Sequence, residues 1–142
     1  MQAQVVRVID GDTIDVEIEG EVYCVRQLGV DCPEADCEFG QLATDVNRAL
    51  VEGKRVELEK DMPDTDEHGR LLRYVFVGGM MVNAKLLRLG YASAVTVPPD
   101  MAHSEKFLAL EREARLSGVG LCLLRDSPLP TGSALAAQDM AQ

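Results

Sequence analysis

Basic charge is scarce in this chain. Fourteen Lys and Arg stand against 24 Asp and Glu, for a formal net charge of −10. That balance excludes a protein coated in basic surface for non-specific nucleic-acid binding, though not a local basic site or a metal site that gathers carboxylates. Long apolar runs are also missing, so no segment reaches membrane-spanning length, and the opening MQAQVVRVID has no charged-then-apolar leader. Cysteines are few: Cys24, Cys32, Cys37 and Cys122 form no CxxC pair, which argues against zinc, and fall short of a disulfide scaffold. Cys24 is expected in the core, and Cys32 and Cys37 are spaced to bridge across a loop. Internal repeats are absent. What is present is a hydrophobic fraction of 46% in 142 residues, enough for one domain with a proper core.

Alternation dominates the first third. Residues 4–9 are a β-branched run, and Asp10-Gly11-Asp12-Thr13 supplies the Asp-Gly step of a hairpin. Residues 13–18 place Ile14, Val16 and Ile18 on one face and Asp15 and Glu17 on the other, the pattern of a half-buried strand. Glu19-Gly20 turns into a third strand. Over 40–52 the period changes, with Leu42, Val46, Ala49 and Leu50 as the apolar face of a helix and Asp45, Asn47, Arg48 and Glu52 opposite. Strands are expected again at 55–59 and 71–77, separated by an acidic loop, KDMPDTDEHGR, over 60–70. Helices follow at 83–89 and 102–117. The small, polar, Pro-bearing end predicts a disordered tail at 127–142 after a domain at 1–126. Five short strands with a helix between the third and fourth predict an α+β fold with a mainly β core, a Greek-key barrel of OB type.

The stretch VYCVRQLGVDCPE, residues 22–34, is where chemistry concentrates. Read as a strand with Val22, Cys24, Arg26, Leu28 and Val30 on its apolar face, it carries an arginine inward, and a buried guanidinium needs anions. Asp31 and Glu34 flank Pro33 on a rigid turn. In a meander that turn and the one carrying Asp12 lie on the same side of the sheet, where oxygen ligands suit Ca²⁺ or Mg²⁺. Asp10 and Asp12 are equally readable as turn formers. In the acidic loop, Asp64, Asp66 and Gly69 match three positions of a calcium-loop template, but Val75 stands where that template needs Glu, which excludes an EF-hand.

IDGDT, RQLGVDCPE, DEHGR and MVNAKLLRLGYA, in that order and spacing, resemble the staphylococcal nuclease (thermonuclease) family from about Val5 to Cys122. The resemblance implies a five-stranded OB barrel with three helices that hydrolyses DNA and RNA phosphodiesters using one Ca²⁺. By position it implies Asp12 and Asp31 as calcium ligands, with the backbone carbonyl of Cys32 as a third. Glu34 corresponds to the residue that activates or orients the attacking water, and Arg26 and Arg70 to the two arginines that grip the scissile phosphate. Two guanidiniums and a divalent ion are what charge building on a phosphodiester requires. The resemblance further implies single-stranded or frayed DNA and RNA as substrates, a monomer, no membrane, and a secreted or periplasmic protein.

The chain departs from the family pattern in several places. The family's reference enzyme is basic and this chain is acidic. Glu67 and His68 replace a lysine and a tyrosine, Thr96, Val97 and Pro98 replace paired base-stacking tyrosines, and the first helix opens GQLAT without its usual acidic residue. A weaker grip on nucleotides is expected, and two other readings stand beside the nuclease: a nucleic-acid- or protein-binding module, and an inert scaffold. The intact group Asp12, Arg26, Asp31, Glu34 and Arg70 favours the enzyme.

Overall fold

In a computed structural model, residues 1–33, 37–95 and 102–120 are described. β1 (Gln2–Asp10) pairs antiparallel with β2 (Thr13–Ile18), placing Val5 against Val16 and Val8 against Ile14, all buried. β2 pairs antiparallel with β3 (Glu21–Gln27) across a turn in which Glu19 (φ 51°) and Gly20 (φ 85°) are both left-handed. Two positive φ angles in a two-residue loop match the twist of the flanking strands, which offsets the cost of placing Glu19 there. β4 (Val30–Asp31) and α1 (Glu38–Val51) lead to β5 (Arg55–Thr65), β6 (Leu71–Val77), β7 (Met80–Met81), α2 (Val82–Arg88), β8 (Ser93–Ala94) and α3 (Ser104–Ser117). The sheet runs β3-β2-β1-β5-β6-β7, and a parallel pairing of β3 with β6 closes β1, β2, β3, β5 and β6 into a five-stranded barrel. With three helices outside it, the expected α+β OB fold is the one observed.

Three local expectations are corrected. First, β3 turns its other face inward. Val25 and Gln27 are fully buried while Val22 is 60% exposed, so Arg26 and Cys24 lie half-buried on the outer wall. The cause is polar: the Gln27 carboxamide is satisfied inside by Asn47, whose Nδ2 donates to Gln27 Oε1 at 2.8 Å. Second, α1 packs through Gly40, Ala43, Thr44, Asn47 and Val51, with Ala49 exposed and Leu42, Val46 and Leu50 only flanking the contact. Small side chains let the helix approach the barrel closely, and Asn47 also donates to the Asp10 carbonyl at 3.0 Å. Third, most of the acidic loop is strand. β5 continues to Thr65 through an irregularity around Pro63, which has no N–H to give the ladder. Arg73, buried on β6, spans that irregularity by donating to the Asp64 carbonyl at 2.9 Å and to its carboxylate at 2.6 Å.

Helices α2 and α3 close the remaining side. The Asn83 side chain, fully buried, accepts from Val75 N at 2.9 Å and donates to the Leu28 carbonyl at 2.7 Å, tying α2 to β6 and to the end of β3. Phe107 of α3 lies against Gly29 (φ 76°), where a Cβ would stand 2.5 Å from its ring. Gly29 therefore serves both the backbone turn and the close packing. Glu34, Thr96, Val97, Pro98, Cys122 and the expected tail lie outside the described residues.

Candidate active site

Asp12 belongs to the β1–β2 turn, and the structure shows how that turn is fixed. Asp12 N donates to Asp10 Oδ1 at 3.0 Å, and the Asp12 carbonyl accepts from Gln27 N at 2.8 Å. A Cβ on Gly11 would stand 2.7 Å from Cys32 Cβ and 2.9 Å from Ala43 Cβ, so the turn is pressed onto both β4's end and α1. Asp12 Oδ2 accepts from Cys32 N at 2.9 Å, and Thr13 Oγ1 donates to Oδ1 at 3.1 Å. The Asp12 side chain is only 10% exposed. Burial pushes its pKa up to about 6, against the pull of Arg26 and the Cys32 N–H. Asp12 is thus more than a turn former: it is an acid held out of water at an energetic cost.

Arg26 stands between the two acids. Its Nη2 lies 3.5 Å from Asp12 Oδ2 and 3.7 Å from Asp31 Oδ1, and its Nη1 donates to the Gln27 carbonyl at 2.5 Å. Asp31, at the end of β4, keeps its side chain 64% exposed. The expected convergence of Asp12 and Asp31 is therefore present, and Arg26 is paired to both from the outer wall of the barrel. The Cys32 thiol is free, and burial, then the Asp12 carboxyl, hold it well above the usual thiol range. It is an uncharged packing group, which leaves the backbone as the part of Cys32 able to serve a cation.

Arg70 ends a five-residue turn, Asp66 to Arg70, organised by Asp66. Asp66 Oδ1 accepts from the backbone N–H of both His68 and Arg70 at 2.9 Å, and Arg70 Nε donates to Oδ2 at 2.7 Å. Partial burial opposes ionisation of Asp66, but the bonds from Arg70 and His68 together outweigh it and lower its pKa. Arg26 and Arg70 line one cleft of about 400 Å³, whose floor includes Leu28, Leu72 and Val95 and whose rim carries Glu67 and His68.

Two carboxylates that meet around one guanidinium are hard oxygen donors, the donor type that fits a divalent ion of the calcium or magnesium kind. The observation that supports the fit is Asp12 itself, a buried acid whose charge Arg26 balances only in part. Among the described residues, no group of three Asp, Glu, His or Cys side chains forms a complete metal cluster.

Sequence reasoning missed Asp66, Asn47 and Gln27. Asp66 carried a signal, an acid four residues before an arginine with a glycine between them. Asn47 and Gln27 carried none, because their pairing joins residues 20 apart.

The chain matches the family described as staphylococcal nuclease homologue over residues 24–122. It is 35% identical over 118 residues to a thermonuclease of Staphylococcus hyicus, covering 79% of this chain and 70% of that protein. A thermonuclease of Staphylococcus intermedius is 36% identical over 115 residues, covering 77% of this chain and 68% of that protein. Endonuclease YncB of Bacillus subtilis is 39% identical over 117 residues, covering 77% of this chain and 56% of that protein. These likenesses support a hydrolase acting on nucleic acid. The chain belongs to the staphylococcal nuclease family.

Proposed function

We propose that this protein is a calcium-dependent nuclease that hydrolyses phosphodiester bonds of DNA and RNA with little sequence specificity. The observation that carries the reading is the double placement of Arg26. Its guanidinium reaches Asp12 and Asp31, and its side chain lines the cleft shared with Arg70. A phosphate in that cleft meets two guanidiniums beside a pair of carboxylates. Calcium, held by Asp12, Asp31 and the Cys32 carbonyl, would supply the positive charge that polarises the phosphoryl group.

The chain's own residues supply the rest. Arg26 and Arg70 hold the equatorial oxygens, and their planar forks neutralise the charge that grows as water attacks. Glu34, three residues beyond Asp31, is assigned to accept the water's proton. The water oxygen bonds to phosphorus, the bond to the leaving sugar oxygen breaks, that oxygen takes a proton from solvent water, and Glu34 returns its proton to solvent. The floor of Leu28, Leu72 and Val95 offers bases an apolar surface without hydrogen-bond readout, which supports sequence tolerance. A cleft of this size supports a single-stranded or frayed strand as substrate. Action as a monomer, the unit at residues 1–126 and a secreted or periplasmic location belong to the same reading. Among the described residues no helix is long and apolar enough to cross a membrane.

Digestion of single-stranded DNA tests it, with calcium, with EDTA and with Glu34→Gln. Cleavage is expected in calcium alone, lost in EDTA and severely reduced in the variant. Binding without cleavage in every condition would replace the enzyme with a binding module.

A further inference from the structure

The charges around the cleft are unevenly matched. Among its lining residues, Arg26 and Arg70 are positive and Asp66 and Glu67 negative. Asp66 is committed to Arg70 at 2.7 Å, and the charge of Arg26 is already divided between Asp12 and Asp31. Glu67 is different. Among the described residues it pairs with His68, whose Nε2 is 3.6 Å from Oε1, and its side chain is 86% exposed at the rim. Its backbone is nonetheless fixed, because Asp66 on one side binds the N–H of His68 on the other.

We propose that Glu67 makes the cleft selective for internal phosphodiesters over phosphorylated strand ends. The proposal rests on the nuclease reading and names the substrate class of that site. An internal diester carries one negative charge, which the paired arginines accommodate. A terminal phosphate monoester carries nearly two at neutral pH, its second pKa being near 6. With the cation of the proposed function held by Asp12 and Asp31, the difference falls to the rim, where the second charge meets Glu67 as a like charge. On a short strand, a terminal phosphate near the diester in the cleft therefore lies against the rim charge and weakens the hold on that strand, whereas an internal diester passes without this cost.

The test uses single-stranded tetranucleotides of one sequence with hydroxyl ends, a 5′-phosphate or a 3′-phosphate, digested by the full chain in calcium. Each rate is divided by the hydroxyl-ended rate of the same variant, so losses of folding or turnover cancel. Wild type should cut at least one of the phosphorylated substrates about three-fold more slowly, the size expected of one solvent-screened like charge. Glu67→Gln should bring that ratio near one, and Glu67→Lys should invert it. A wild-type ratio of one, or ratios unmoved by both substitutions, overturns the proposal. If no substrate is cut, the nuclease reading fails instead. Calorimetric affinities for the same tetranucleotides then decide the role of Glu67, with the same ordering expected and unchanged ratios overturning it.

Discussion

The two arginines of the cleft are held in opposite ways. Arg26 sits in the barrel wall, in register with Thr13 of β2 on one side and Leu72 of β6 on the other. Among the described residues it has no acid of its own, and shares Asp12 and Asp31 with whatever else those carboxylates serve. Arg70 ends a turn outside the wall and has a dedicated acid, Asp66, that also builds the turn. The difference teaches how charge is prepared on each side. On the wall, strand pairing fixes the backbone, so the acids are left for chemistry. On the turn the backbone has bonds of its own, from Asp66 N to the Arg70 carbonyl at 2.9 Å and from Gly69 N to the Asp66 carbonyl at 3.1 Å, and an acid is spent on completing that architecture.

The largest expected effect tests that contrast. Arg26→Ala and Arg70→Ala should each lower turnover on single-stranded DNA by about 10²-fold or more, since each removes charge stabilisation from the transition state. Their stabilities should part. Removing Arg26 leaves the buried Asp12 without its cation and should cost about 1–3 kcal/mol. Arg70→Ala leaves Asp66 its two backbone donors and should cost under about 1 kcal/mol. Denaturant melts beside turnover measurements read both, and equal losses of stability would erase the distinction between wall and turn.

Asn47 sharpens the wall side. It donates to Gln27 and to the Asp10 carbonyl, so it links α1, β3 and the turn that carries Asp12. Asn47→Ala strands buried polar atoms on both partners and should cost about 2–3 kcal/mol in denaturant melts. Asn47→Asp keeps an acceptor for the Gln27 Nε2 but loses the donor to Gln27 Oε1 and to the Asp10 carbonyl, and should be as damaging because the new charge is buried.

How much of this was legible follows from the same residues. The strands were readable from alternation and from the Asp-Gly and Glu-Gly steps, and the meander was enough to bring Asp12 towards Asp31. The face of β3 was not. Val22 and Cys24 are apolar on one face and Tyr23 and Val25 on the other, so local pattern is balanced, and the decision falls to Gln27. A buried glutamine reads as a surface residue until its partner is known, and that partner lies on a helix. The misread face of α1 has the same source, since Asn47 looked solvent-facing. The acidic stretch hid a strand because a Pro and clustered charge mask alternation, while the buried Arg73 that holds it lies on another strand. Glycine and aspartate turns speak locally; satisfied polar cores do not.

On the turn side, Asp66→Ala should reduce turnover by about 10-fold, by freeing Arg70 rather than removing it. The pH dependence has a definite sign. An acid whose native pKa is depressed contributes stability above its unfolded value near 3.8, and that contribution is lost as pH falls through the lower native value. Wild type and Asp66→Asn should therefore differ in melting temperature at neutral pH and converge in strong acid. A constant gap would show that the Asp66 charge does not hold the turn.

The smallest effect concerns Asp12 and runs the other way. Its native pKa, near 6, lies above its ordinary 3.8, so between those values the folded state keeps a proton that the unfolded state has released. In EDTA, the stability associated with that proton is full below pH 3.8 and declines as pH rises towards 6, where the carboxylate must stay charged while buried. Asp12→Asn removes the charge, keeps an acceptor for Cys32 N, and gives up the ion pair to Arg26. In EDTA at pH 8 the variant should be more stable by on the order of 1 kcal/mol, less than the full shift implies because Arg26 loses a partner. In millimolar calcium the order should reverse, because only wild type gains a native-state ligand. Melting both proteins across pH in the two buffers reads it. A variant less stable than wild type in EDTA above pH 6 would show that Arg26 already satisfies Asp12, leaving the wall arginine as firmly paired as the one on the turn.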